Sequence, residues 1–124
     1  MKWKYFLVFT AMIATDQFVK WFVSWRFPEL VTINYNGVFG VLPAWVAIFG
    51  LIGLVGIVVF SRWFHPSLVL VLAGGVSNII DRLIYNGVVD FVSLWQFPVF
   101  NLADVFISLG AIWLVVNELG FFRK

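Results

Sequence analysis

Residues Ser67 to Ile84 read Ser-Leu-Val-Leu-Val-Leu-Ala-Gly-Gly-Val-Ser-Asn-Ile-Ile-Asp-Arg-Leu-Ile. The run comes close to the roughly 20 apolar residues that a helix needs to cross a bilayer, and its polar residues, Asn78, Asp81 and Arg82, gather at its far end. Three other runs resemble it. Tyr5 to about Val23 is interrupted only by Asp16, Gln17 and Lys20 near its end; Ala44 to Phe60 is rich in Gly and Val and stops at Ser61, Arg62, His65 and Pro66; about Ala103 to Phe122 precedes Arg123 and Lys124. The expected fold is an all-α membrane protein: four transmembrane helices with a small extracytoplasmic β or loop element, and residues 1–124 as one domain.

Composition agrees. The chain has 124 residues, of which 63% are hydrophobic and 11% charged, and a mean hydropathy of +1.03 lies outside the range of ordinary soluble domains. The net charge of +2 comes from scattered Lys and Arg, not from the basic stripe that nucleic acid requires. With no Cys, disulfides, thiol nucleophiles and thiolate metal sites are excluded; with one His, a zinc site lacks ligands. Basic residues followed by an apolar run match the opening of a cleaved signal peptide, but no small-x-small site follows and further spans do.

Lys2, Lys4, Arg62, Arg123 and Lys124 fall on one side of the four-span arrangement, so the positive-inside rule puts both termini in the cytoplasm. Two outward connections remain, about Ser24 to Pro43 and Tyr85 to Phe100, and nearly all other polar residues lie in or beside them. In the first, the β-branched stretch Leu30 to Tyr35 followed by Asn36-Gly37 suggests a short hairpin. Most of the seven Trp sit near span ends, where amphipathic rings favour the interface.

Five of the six acids, Asp16, Glu29, Asp81, Asp90 and Asp104, fall at the outer ends or connections. Carboxylates at membrane depth are costly and therefore functional candidates. Asn101-Leu-Ala-Asp104 has the spacing of a helix capping box, and capping alone would account for it. Its echo, Asn78-Ile-Ile-Asp81, falls near a span end, and Asp81 beside Arg82 reads as an ion-paired structural element. Asp90 is a lone acid in a strand-like stretch, Gly87-Val-Val-Asp-Phe-Val92. Beside Asp104 at a helix N-terminus, it would make a pair of carboxylates able to share one proton, one acting as base toward water and the other as acid toward a carbonyl. Asp16 and Lys20, spaced i, i+4, suit a helical ion pair. Lys20 and Ser24 have the same spacing, but Asp16 competes for the lysine. His65 reads as a loop residue.

Five blocks, Thr15-Asp-Gln-Phe-Val-Lys-Trp21, Asn36-Gly-Val-Phe-Gly40, Gly74-Gly-Val-Ser-Asn-Ile-Ile-Asp-Arg82, Val88-Val-Asp-Phe91 and Phe97-Pro-Val-Phe-Asn-Leu-Ala-Asp104, resemble in order those of the lipoprotein signal peptidases, the type II signal peptidases of bacteria. The resemblance implies a four-helix membrane aspartic endopeptidase that cleaves prolipoproteins before a diacylglyceryl-modified cysteine, without metal or cofactor. Its partners would be the lipidated prolipoprotein and membrane lipids, not nucleic acid, in the bacterial inner membrane with the site near the outer surface. On that resemblance Asp90 and Asp104 are the catalytic pair. Asn36, Asn78, Arg82 and Asn101 contact substrate or orient the pair, and Asp16 and Lys20 support fold and site. Asp81 stays structural, held by Arg82. The connection from Lys20 to Asn36 is shorter than the family's, the Asn-Gly-Val-Phe-Gly block is shorter than the usual Asn-x-Gly-Ala-Ala-Phe-Gly, and the loop from Asp90 to Asn101 is also short. Asn34 is thus an alternate for Asn36, and the extracytoplasmic sheet should be reduced. Two rival readings stand beside the peptidase: a lipoprotein-binding pseudo-peptidase, and a small transporter that uses Asp16 as a proton-coupled site.

Overall fold

The computed structural model describes residues 2–36, 43–61 and 65–120. Within them the chain runs through α1 (Lys2–Arg26), a short 3-10 turn (Pro28–Leu30), β1 (Thr32–Asn34), α2 (Ala44–Ser61), α3 (Ser67–Tyr85), β2 (Val88–Asp90) and α4 (Leu102–Glu118). Each apolar run of the sequence has become a helix. Of these, α1 and α3 are long and apolar enough to cross a membrane. Trp63 and the end of the fourth run at 121–122 lie outside the described residues.

The helices are inverted relative to those of a water-soluble protein. In α1 the buried residues are Asp16 and Lys20, while Phe6, Phe18, Trp21 and Trp25 point outward and are exposed. Large apolar side chains on α2 and α4, among them Phe49, Ile52, Leu109 and Ile112, are exposed too. An apolar exterior of that extent is matched by lipid, not by water. The polar groups face inward because there they can satisfy one another.

Glycine sets the closest helix contact. A Cβ on Gly74 of α3 would run into the Ala103 carbonyl and Ile107 of α4, and one on Gly110 of α4 would lie 2.7 Å from the Ser67 carbonyl of α3. The two helices therefore touch backbone to backbone at two places, the start of each against the middle of the other, as small residues allow in membranes. His65 secures the start of α3: its Nδ1 lies 2.6 Å from Ser67 Oγ and accepts the Ser67 N–H, and its ring packs edge-on to Trp113.

β1 and β2 pair antiparallel, Thr32 opposite Asp90, Ile33 opposite Val89 and Asn34 opposite Val88. Within the described residues β1 finds its partner in β2, across α2 and α3; the expected hairpin turn at Asn36-Gly37 and the strand that would return from it fall on residues 37–42, outside the described residues. The left-handed Asn86 (φ 59°) closes α3 and reverses the chain, so that Val88 to Asp90 run back alongside β1. Burial of Val88 and Val89, both 3% exposed, holds the ribbon on the helices, since two strands alone are marginal.

Candidate active site

Alternation along the ribbon puts Thr32 and Asn34 of β1 on the same face as Val88 and Asp90 of β2. Asn34, Val88 and Asp90 face a cavity of about 330 Å³ whose other walls include Asn78, Ile79 and Arg82 of α3, Asp104 and Ile107 of α4, and Gly50, Leu51 and Leu54 of α2. Asp104 reaches the cavity because α4 begins there. Asn101 is its N-cap, with Oδ1 accepting the Asp104 N–H at 2.9 Å while Asp104 Oδ2 accepts the Asn101 N–H at 3.1 Å. The capping reading of this motif holds, and it does not compete with a role in the cavity, because the carboxylate's other oxygen accepts from Asn78 Nδ2 at 3.0 Å.

Asn101 also joins the two acids. Its Nδ2 donates to Asp90 Oδ1 at 2.7 Å and lies within hydrogen-bond reach of Asn78 Oδ1 (3.1 Å) and the Val89 carbonyl (3.3 Å). A single fully buried carboxamide thus holds Asp90 with one end and the start of Asp104's helix with the other. Burial pushes the Asp90 carboxyl up to about 7, and the nearby Asp104 charge adds to the shift against the opposing pull of Asn34, Asn101 and Lys20. Asp90 therefore titrates close to neutral pH, next to a second carboxyl group lining the same cavity.

Behind the cavity wall lies a fully used ion cluster. Lys20 Nζ is 2.7 Å from Asp16 Oδ2 and 2.7 Å from Asp81 Oδ2, and it donates to Asn78 Oδ1 at 3.0 Å. The expected i, i+4 pair of Asp16 and Lys20 is present, and with three acceptors around its ammonium Lys20 has no donor left for Ser24. Asp81 is ion-paired as expected, but with Lys20 and not Arg82. Neighbours on a helix point about 100° apart, so Asp81 turns toward α1 while Arg82 turns toward the cavity. There the Arg82 guanidinium donates to the Asn78 and Asn36 carbonyls at 3.4 and 3.3 Å.

The sequence model of signal peptidase II matches residues 8–120, nearly the whole chain. The chain belongs to the signal peptidase II family. Lipoprotein signal peptidases of Burkholderia cenocepacia and Burkholderia ambifaria are 48% and 50% identical to it over 63 residues, covering 48% of this chain and 38% of each relative. The matched stretch thus spans well under half the length of these curated relatives. Two solved structures of a bacterial membrane enzyme share the fold. One has a TM-score of 0.75 at 23% identity, covering 98% of this chain and 91% of the other. The second has a TM-score of 0.73 at 24% identity, covering 94% of this chain and 92% of the other.

Within this signal peptidase II relative, Asp90, Asp104, Asn78 and Arg82 line the cavity, Asn101 bridges its two acids, and Asp16 and Lys20 stand behind it. The cavity lining includes Asn34, the alternate; the Asn36 backbone contributes by donating to Asn34 Oδ1 at 3.0 Å and accepting from Arg82. Gln17 and Ser77 were not singled out in advance, yet Gln17 Nε2 binds the Ser77 carbonyl, Ser77 Oγ and Asp81 Oδ1, and Ser77 Oγ donates to Asp16 at 2.6 Å. The signal was available: Ser77, Asn78, Asp81 and Arg82 recur at i, i+1, i+4 and i+5, a polar stripe on one side of α3. Asp16, fully buried and bonded to Ala103 N–H, Ser77 and Lys20, is not among the cavity's lining residues, which disfavours the transporter reading. Among the described residues no cluster of His, Cys, Asp and Glu could hold a metal ion.

Proposed function

We propose that this protein is a membrane aspartic endopeptidase that removes the signal peptide of diacylglyceryl-modified prolipoproteins before the lipidated cysteine. The observation that carries the reading is the pairing of Asp90 and Asp104 on one cavity, joined through Asn101, in a chain of the signal peptidase II family. Asp90 holds the shared proton and Asp104 takes one from a water molecule. As that water attacks the scissile carbonyl carbon, Asp90 gives its proton to the carbonyl oxygen. Collapse of the tetrahedral intermediate breaks the C–N bond; Asp104 passes its proton to the leaving amine, and Asp90 recovers its own from the hydroxyl. Asn78 and Arg82 on the cavity wall would bind the substrate backbone, with Asn34 taking the place expected of Asn36.

In this reading all four helices span the inner membrane, both termini are cytoplasmic and the pair of acids lies near the outer surface. The 17 residues of α4 are at the short end of what a span needs, and the apolar walls from α2, α3 and α4 suit a lipidated peptide that arrives laterally from the bilayer. The test is cleavage of a diacylglyceryl-modified prolipoprotein by the purified full chain in nanodiscs. Asp90→Asn and Asp104→Asn should each lower kcat by on the order of 10³-fold. Undiminished turnover in either variant would remove the pair from the mechanism, and wild-type protein that binds the substrate without cleaving it would establish the pseudo-peptidase instead.

A further inference from the structure

Three buried ionisable side chains take no part in that proton transfer: Asp16, Lys20 and Asp81 are 0%, 3% and 0% exposed. Removing ions from water costs several kcal/mol each unless they are paired and hydrogen-bonded, and here every contact is made. Lys20 lies between the two carboxylates, 2.7 Å from each. What those carboxylates do besides meeting Lys20 is specific. Asp81 Oδ2 accepts the Val89 N–H at 3.1 Å, and Asp16 Oδ1 accepts the Ala103 N–H at 2.8 Å. Val89 immediately precedes Asp90, and Ala103 immediately precedes Asp104.

We propose that Asp81, Lys20 and Asp16 form a positioning brace that sets the separation of the Asp90 and Asp104 carboxyl groups, each buried anion holding the backbone N–H of the residue just before one of them. Both backbone groups of Val89 are bonded away from β1, the N–H to Asp81 and the carbonyl toward Asn101 Nδ2, so the peptides on both sides of the residue that leads into Asp90 are held. At the other end Ala103 offers one of the free amides at the start of α4, and a carboxylate there pins the helix end that carries Asp104. Side-chain donors fix how the anions point: Gln17 Nε2 donates to Asp81 Oδ1 at 2.8 Å and Ser77 Oγ to Asp16 Oδ2 at 2.6 Å. The family resemblance gives Asp16 and Lys20 a supporting role; the brace adds Asp81, links the two acids through one ammonium, and says what is supported.

The proposal rests on Asp90 and Asp104 being the catalytic pair, and its test separates the two. Asp81→Ala and Asp81→Asn are prepared in the full chain in nanodiscs beside Asp90→Asn and Asp104→Asn, with kcat expressed per folded molecule after size exclusion. A misplaced reacting group costs about 100-fold, so Asp81→Ala should lose on that order in kcat with KM changed by less than about twofold. Asp81→Asn, whose amide oxygen can still accept the Val89 N–H, should recover about tenfold of that loss. Independently of activity, amide hydrogen exchange at Val89 should accelerate in Asp81→Ala. Wild-type kcat together with unchanged Val89 exchange in Asp81→Ala overturns the brace while leaving inactive Asp90 and Asp104 variants to uphold the pair. Active Asp90 or Asp104 variants overturn the pair itself. If Asp81→Ala does not fold, Asp81→Asn decides alone, and an unchanged kcat there overturns the brace.

Discussion

The contact between α3 and α4 and the contact between α2 and the rest differ in kind. Where α3 meets α4, Gly74 and Gly110 leave no room for a methyl group, and backbone lies against backbone. On α2, positions where a Cβ would sit on Gly50, Gly53 or Gly56 have no atom within 4 Å among the described residues, and α2 approaches α3 through the side chain of Leu51 against Gly75. Glycine thus does two unrelated things in one small protein. In α3 and α4 it brings together the helices that carry Asn78, Arg82 and Asp104, and in α2 it leaves open the wall of the cavity. The acids, asparagines and buried ions all belong to the tight side. What α2 contributes to the cavity is apolar surface and room.

The contrast can be broken most forcefully at Gly74. Gly74→Ala would put a methyl group into the Ala103 carbonyl and Ile107, and overpacking of this kind costs about 3 kcal/mol. The expected result is a lower thermal midpoint, followed by tryptophan fluorescence, together with reduced cleavage as the end of α4 is pushed away from β2. A midpoint equal to wild type would mean that the helices are not in backbone contact.

A smaller effect sharpens the tight side by titration. The ordinary carboxyl value is 3.8, and burial raises Asp90 to about 7, so its proton is present below that point and lost above it. If Asp90 is the acid, kcat/KM should fall about tenfold per pH unit above about 7. Stability has its own sign. Below about pH 4 the group is neutral folded and unfolded; between about 4 and 7 the unfolded chain ionises first, so the folded state loses stability as pH rises, and the loss is complete above 7. Asp90→Asn removes that loss. Its thermal midpoint should therefore gain on wild type across this window and hold a constant advantage above it.

The smallest effect belongs to α2. Gly53→Ala adds a methyl group into open space and replaces the poorer helix former, so stability should rise by up to about 1 kcal/mol, with cleavage unchanged. A loss of stability there would show that α2 is as closely packed as α3.

Much of the site was legible before any tertiary contact was known. The polar ends of the apolar runs fell together, the spacing of Asn101 and Asp104 announced a capping box, and Asp16 and Lys20 announced a pair, because each depends on the fixed rise and turn of one helix. The lone acid in Val88-Val-Asp90 read correctly as strand. One expectation failed: the partner of Asp81 is not its neighbour Arg82 but Lys20, which lies on α1.

By itself, then, the sequence determined a membrane-embedded helical chain, the inventory of its polar groups and the local geometry of each helix end, since hydropathy and periodicity act over one or two turns. Only the tertiary structure decided which of those groups meet. Gln17 reaches Ser77 and Asp81, and Lys20 reaches Asn78, across separations of 58 to 64 residues. It also decided that Asn34 is carried onto the cavity face beside Val88 and Asp90, by the register of a strand pair. The physical reason is direction. A one-residue step turns a side chain by about 100° on a helix and to the opposite face of a strand, so what a polar residue touches is settled by the angles at which the elements pack and not by its place in the chain.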